Sequence, residues 1–376
     1  MSVSLFIAGD FAPKSISPEK LSQKGTAIFS EIKPFIEAAD LSIVNLEAPL
    51  VKNNLATPIQ KSGPNLMADP ITAGVLKNAG FDIVTLANNH FFDQGQNGVD
   101  CTINECQEQS IHTVGGGKTY SSARLPLICE TNGKRIAIIN ACENEFSIAN
   151  ADHGGSNPID LVNMHEDIDL LRSNVDYLIV ILHGGVEHYY YPTPRMKRWY
   201  HHFVDLGADA VINHHQHCIN GYEIYKGKPI FYGLGNFYFP WIGEQPCPES
   251  WNYGYAVQLF FDDKISFELI PYKQTIDGIT LRNKSDFENE MELLSIPISD
   301  DYLLQQKLND YIIDREYYIK SRILPSFLFG RIVLALARRG YLGKLYHKSK
   351  VLSLKNTITC ESHHEILQQL FKILSL

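Results

Sequence analysis

Five short apolar runs, each stopping abruptly at polar residues, constrain this chain more than any other feature. Residues 3–8 run into Gly9-Asp10, residues 41–44 into Asn45-Leu46-Glu47, and residues 83–87 into Asn88-Asn89-His90. Residues 177–182 stop at His183, and residues 210–212 at Asn213-His214-His215. Near-continuous, β-branched runs of this length suit strands covered on both faces. Helix-like segments at 26–39, 70–79, 95–109, 160–172 and 194–206 lie between them, with Asp160 as a capping residue and Gly80 and Gly207 as stops. Alternation of the two patterns predicts a layered α/β fold. In such folds ligands gather beyond the carboxyl ends of the strands, where these polar residues fall.

Two hairpins extend or cover the parallel sheet: residues 125–128 with 134–140 about Asn132-Gly133, and residues 255–261 with 265–271 about Asp262-Asp263. The acidic stretch 286–299 reads as a turn-rich boundary, followed by helices at 300–322, 324–339 and 363–374. The expected organisation is a main domain at 1–285 and a helical C-terminal extension at 286–376.

Charge bears on the partners. The net charge of −9 excludes a general nucleic-acid binder. It conceals a segment from Lys320 to Cys360 with nine Lys or Arg and no Asp or Glu, which leaves 24 basic against 42 acidic residues elsewhere. With its interleaved apolar residues, this segment suits an anionic membrane surface or polymer, or docking on the protein's own acidic body. Seven cysteines at loose spacing, with no C-x-x-C pair, indicate neither a disulfide framework nor a zinc knuckle. The N-terminus has no signal-peptide pattern, and the longest apolar stretch, 323–337, is interrupted and shorter than the ~20 residues that span a bilayer. A cytoplasmic location is expected, with peripheral contact at the inner face of the membrane through residues 320–360 as a further option.

The polar run-ends form one chemical inventory: Asp10; Asn45 and Glu47; Asn89, His90 and Asp93; His183 and Glu187; His215 and His217. Carboxylate, imidazole and amide oxygen together suit divalent Mn, Fe or Zn. Any one of these residues is also what an ordinary capping or turn position carries. Five clusters at five strand ends carry the specificity. His201-His202 and His363-His364 read instead as helix-surface or packed pairs.

Taken in order, Gly9-Asp10, Asn45-Leu46-Glu47, Ala87-Asn88-Asn89-His90-x-x-Asp93-x-Gly95, His183-Gly-Gly-x-Glu187, Gly207-Ala-Asp, His214-His215-Gln216-His217 and Tyr232-Gly-Leu-Gly-Asn236-Phe resemble the CapA family of poly-γ-glutamate and capsule synthesis proteins. The resemblance spans about residues 3–240. It implies a four-layer α/β/β/α sandwich of the calcineurin-like metallophosphoesterase type, holding two divalent metal ions. By the same resemblance, Asp10 and His217 hold one ion, Asn89, His183 and His215 hold the other, and Glu47 bridges them where the wider superfamily uses Asp. His90 becomes a general acid with its ring fixed by Asp93, and Asn45, Glu187, His214 and Asn236 become substrate contacts. The chain departs from the pattern at Ala12, where the superfamily has a His ligand, and at Asn213, Gln216 and the Gly-Gly after His183. The implied function is a metal-dependent hydrolase, of phosphoester or amide type, in poly-γ-glutamate or exopolysaccharide synthesis, acting on a small molecule or anionic polymer. The alternatives are a nucleotide phosphodiesterase and a non-catalytic polymer assembly or binding protein.

Overall fold

The computed structural model describes residues 2–14, 16–241, 247–262, 264–315 and 348–374. The continuous apolar runs become strands because each has a core on either side. In the first sheet, β1 (Val3–Phe11), β2 (Leu41–Leu46), β3 (Ile83–Thr85) and β4 (His112–Val114) are parallel neighbours. Beside β1 lie β14 (Tyr253–Phe261), β15 (Ile265–Thr275) and β16 (Gly278–Leu281), all antiparallel in turn, while the short β13 (Asn236–Tyr238) pairs with the end of β1. The second sheet runs β11-β12-β10-β9-β7-β6, built from β6 (Leu127–Thr131), β7 (Lys134–Cys142), β9 (Tyr177–His183), β10 (Ala210–His214), β11 (Tyr222–Tyr225) and β12 (Lys228–Phe231). Its four central strands are parallel. A two-stranded pair, β5 (Gly116–Gly117) with β8 (Gly155–Ser156), lies apart. Both expected hairpins are present, as β6–β7 and β14–β15.

Alternate residues of the same strand enter different cores. Leu5 and Ile7 of β1 meet Ile138, Ile181 and Ile212 between the two sheets. Phe6 and Ala8 face outward into a cluster with Phe29, Ile36, Leu76 and Phe81, on the side of α1 (Pro18–Lys24), α2 (Lys33–Ala38), α3 (Ile71–Ala79) and α4 (Gly95–Glu108). Across the second sheet, Ile139, Val180 and Val211 pack with Met164 and Ile168 of α6 (Leu161–Arg172) and with Met196, Tyr200 and Phe203 of α7 (Pro194–Leu206). The short α5 (Tyr120–Arg124) sits by β5. The layers are therefore α/β/β/α, as expected. Each fully buried large apolar side chain contributes about 1.5–3 kcal/mol, so the three cores dominate the cohesion of the sandwich.

Local signals explain most element ends. Asp160 accepts hydrogen bonds from the Val162 and Asn163 amides, Thr193 caps α7 ahead of Pro194, and Gly80 and Gly207 end their helices at φ 107° and 122°. The single helix expected over 26–39 is instead a 3-10 turn, Gly25–Phe29, followed by α2, because Pro34 favours a new helical start over continuation. The stretch 286–299, read as turn-rich, belongs to α8 (Lys284–Ser299). Its acidic residues mask a stripe of Phe287, Met291 and Ile298, and the first two enter the core between the sheets.

Among the described residues three further helices follow: α9 (Asp301–Asp314), α10 (Lys348–Thr359) and α11 (Glu361–Leu374). Leu308 and Ile312 of α9 and Ile366 and Leu370 of α11 pack with Val186 and Tyr189, in the loop after β9. The expected helix at 324–339, the end of that at 300–322 and most of the basic segment 320–360 lie outside the described residues. The described portion from 348 docks on the protein body, where Asn356 donates to Glu145. Among the described residues no helix is long and apolar enough to cross a membrane.

At Gly9 the fold directly positions the chemistry. The β1–β2 register shifts between Ala8 and Asp10, a bulge that places Asp10 opposite Asn45. A Cβ on Gly9 would collide with the Gly235 carbonyl oxygen. Gly9→Ala is expected to cost about 1–3 kcal/mol, the usual range for overpacking, and to lower the melting temperature in thermal denaturation. An unchanged melting temperature would contradict the close approach.

Candidate metal centre

The carboxyl ends of the parallel strands from both sheets meet at one edge. There β1 supplies Asp10, β2 supplies Asn45 with Glu47 just beyond it, and the turn after β3 carries Asn88, Asn89 and His90. On the other sheet β9 ends at His183, and the turn after β10 carries His215 and His217. Those two histidines adopt left-handed backbone at φ 97° and 55°, a conformation costly for residues with a Cβ and one that recurs at functional sites.

Two sets of ligand atoms result. One atom each from Glu47, His183 and His215 lies within 4.8 Å of the others, and the same holds for Asp10, Glu47 and His217. Glu47 belongs to both sets. In the first, His183 Nε2 faces Asn89 Oδ1 at 3.1 Å, His215 Nδ1 at 3.1 Å and Glu47 Oε1 at 3.6 Å. In the second, Glu47 Oε1 lies 3.6 Å from His217 Nε2, and Asp10 Oδ2 lies 3.5 Å from His217 Nδ1.

The protein alone does not satisfy these groups. Both carboxylate oxygens of Glu47 are buried without a hydrogen-bond donor, which is costly for a charge out of water. Burial and the nearby Asp10 push the Glu47 carboxyl well above its usual range, and burial pulls His183 well below its own. Burial also works against an ionised Asp10, but the surrounding His217, His214 and His183 hold its carboxyl far below the usual value. Burial works against a charged His217, but Glu47 and Asp10 outweigh it and raise that imidazole to about 9, while neither Glu47 oxygen has a hydrogen-bond donor. The donor set of imidazole, carboxylate and amide oxygen fits a pair of divalent ions. Ala12 supplies no ligand and packs in the outer apolar cluster, so the Asp10 set has fewer donors than the His183 set, to which Asn89 adds an oxygen.

Three residues expected to touch substrate are buried and hydrogen-bonded to neighbouring groups of the same edge. Asn45 donates from Nδ2 to Asp10 Oδ1 at 2.7 Å and lies 3.3 Å from His183 Nδ1, while its Oδ1 accepts from Thr85 and Asn88. Asn236 faces His217 Nδ1 with its Oδ1 at 2.8 Å, which turns His217 Nε2 towards Glu47. His214 lies 3.1 Å from the Ala8 carbonyl oxygen. Each is at most 1% exposed. The alternating pleat and the bulge at Gly9, which single-residue reading does not resolve, turn them inward. In metal centres, groups bonded in this way orient ligands and fix tautomers.

His90 meets Asp93 through Nδ1 at 2.6 Å, as expected, but both are also joined by Lys61, a residue the motif reading passed over. Burial lowers the His90 pKa and Lys61 adds to the fall, against the opposing effect of Asp93. Glu187 is exposed. Desolvation by neighbouring atoms works against its ionised form, but the charges of His215, His217, His188 and His363 outweigh this and lower its carboxyl pKa, an effect that solvent weakens at an exposed position. Lys14 is another residue not anticipated. Burial lowers its pKa while Glu47, Asp93 and Glu187 oppose that effect, and its ammonium lies 4.9 Å from the Phe239 ring centre. Glu143 and Glu145 follow the end of β7 and obey the same strand-end rule, which would have found them had the strand been extended past Asn140. Glu145 Oε1 reaches to 3.9 Å from His215 Nε2.

Divalent-metal titration should reveal two affinities. His183→Ala is expected to remove the tighter and His217→Ala the weaker, and loss of the same class in both variants would contradict separate sets. Asn45→Ala, which leaves every ligand in place, should weaken binding by roughly 10–100-fold in calorimetry, the usual effect of removing an outer support.

Comparison with known proteins finds relatives over the part of the chain that carries these residues. The family described as "Bacterial capsule synthesis protein PGA_cap" matches residues 4–240. The chain is 30% identical over 246 residues to the capsule biosynthesis protein CapA of Bacillus anthracis, covering 63% of this chain and 60% of that protein. It is 29% identical over 241 residues to the PGA biosynthesis protein CapA of Bacillus subtilis strain 168, covering 63% of each. The chain thus spans less than two thirds of the length of these relatives. A solved structure described as a novel phosphatase, of Mycoplasma pneumoniae, is 17% identical, with a TM-score of 0.43, covering 77% of this chain and 97% of that one. With more than half its length matched by the family pattern, the chain belongs to the bacterial capsule synthesis protein family PGA_cap.

Proposed function

We propose that this chain is a metal-dependent hydrolase of the metallophosphoesterase type that serves poly-γ-glutamate or capsular polymer synthesis on the cytoplasmic side of the membrane. The observation that carries the reading is Glu47, a buried carboxylate with neither oxygen satisfied, shared by two sets of ligand atoms. The biological setting comes from relatives named for capsule and PGA biosynthesis. The seven unpaired cysteines suit a reducing compartment.

In this reading Asp10, Glu47 and His217 hold one ion, and Glu47, Asn89, His183 and His215 hold the other. Ions bound there supply Lewis acidity for hydrolysis of a phosphoester or amide. The remaining work belongs to the chain. His90, anchored at Nδ1 by Asp93, keeps Nε2 for proton exchange with the departing group, and its lowered pKa makes the protonated ring a stronger acid. Lys61 holds the Asp93 carboxylate in place. Lys14 offers positive charge to an anionic substrate. Asn45 and Asn236 keep ligand side chains oriented.

Ala12 favours a second reading, a polymer-binding protein that retains the fold with little turnover. A panel of phosphomonoesters, phosphodiesters and γ-glutamyl oligomers, assayed with Mn, Fe or Zn, separates the two. His90→Ala is expected to lose ~10²–10⁴-fold in kcat while keeping its metal content. Glu47→Gln should lose metal and activity together. A fully metal-loaded wild type that turns over no compound in the panel would sink the hydrolase reading.

A further inference from the structure

A second group of ligand atoms lies beside the centre just described, where the C-terminal helices return to the sandwich. Glu145 from the loop after β7, Cys360 between α10 and α11, and His363 in the first turn of α11 each bring one ligand atom within 4.8 Å of the others. Residues 356–363 lie beyond the span matched by the family pattern.

Asn356 supplies an independent observation. It is 8% exposed, and its side-chain amide reaches into the group, 3.0 Å from Glu145 Oε2 and 3.3 Å from His363 Nδ1. Its Oδ1 is buried with no partner. Turning the amide over would present that oxygen to the same point, adding a further donor.

Cys360 also belongs to an overlapping group with Glu143 and Glu361, but those carboxylates are already engaged. Glu143 accepts from Arg195 at 2.6 Å, from the Ser362 hydroxyl at 2.7 Å and from the Ser362 amide at 3.2 Å. Glu361 accepts from the Asn144 backbone at 2.8 Å and from its side chain. Those contacts fasten α11 to the body and leave Glu145 and His363 as the available donors. Glu145 has a side chain 12% exposed, so an ion could enter without unfolding.

We propose that Glu145, Cys360 and His363, with Asn356, form a separate binding site for a borderline divalent cation such as Zn²⁺. Sulfur, nitrogen and oxygen donors converging from a loop and two helices are a zinc-type set. Binding replaces the Cys360 thiol proton, which already points at Glu143 Oε2 at 3.5 Å and leaves to solvent by way of that carboxylate. The ion would tie α10 and α11 to the loop that also reaches His215. The site does not depend on the hydrolase reading.

Cobalt(II) loading of the full chain tests it, because the centre described above contains no sulfur ligand. A thiolate-to-cobalt charge-transfer absorption is expected in the wild type, retained in Glu47→Gln and lost in Cys360→Ser. His363→Gln, checked for folding by circular dichroism, should lower the cobalt affinity read from the same band, which keeps the test decisive if Cys360→Ser does not fold. No charge-transfer band in the wild type, a band that survives Cys360→Ser, or unchanged affinity in folded His363→Gln would overturn the site. Loss of the band in Glu47→Gln would also overturn it, since the absorption would then depend on the neighbouring centre.

Discussion

Two carboxylates, Asp10 and Glu47, lie fully buried among three histidines at the junction of two sheets, and the local structure is arranged around that constraint. Uncompensated negative charge at such a place is expensive. Asp10 is compensated by Asn45, the His215 amide and neighbouring histidines. Glu47 is not. That asymmetry separates a metal centre from a polar cluster that closes on itself, and it gives physical meaning to the unusual backbone of His215 and His217. Their left-handed conformations accompany imidazoles set beside Glu47, whose oxygens have no hydrogen-bond partner.

The sandwich makes this arrangement affordable by keeping strain and unsatisfied polarity at one edge. Leu5 and Ile7 hold β1 against the second sheet while Phe6 and Ala8 hold it against the outer helices. Both sheets thereby present their carboxyl ends at fixed separation. The Gly9 bulge is the local adjustment that brings Asp10 level with Asn45, and Gly235 approaches closely enough to require glycine there. Beyond this edge, the apolar contacts of α9 and α11 with Val186 and Tyr189 cover the loop carrying Glu187. The C-terminal helices are therefore part of the surroundings of the site.

Much of the candidate ligand set was legible because the strand-end rule is local: a β-branched run stops and the next residues carry lone pairs. The rule picked out Asp10, Glu47, Asn89, His183, His215 and His217, which the fold brings to one edge, without knowing which strands adjoin. It failed where orientation matters. Asn45, His214 and Asn236 occupy the same edge but turn inward, since the pleat and the bulge fix side-chain direction. It missed Lys61, whose partners His90 and Asp93 are about thirty residues away and share no periodicity with it. It also misread 286–299, because acidic exposed positions outnumbered the apolar stripe that the sheet requires.

The sequence by itself determined the alternation of strands and helices, the chemical identity of the candidate ligand side chains and the lack of a His at position 12, because all three are properties of short windows. The tertiary structure decided which atoms face each other. Only folding makes Glu47 common to two sets of donors, joins Asn45 to Asp10 and Asn236 to His217, and brings Cys360 and His363 back to Glu145 across more than two hundred residues. Contacts at such separation are set by the packing of layers and by hydrogen-bond direction, and neither is written in the residues adjacent to them.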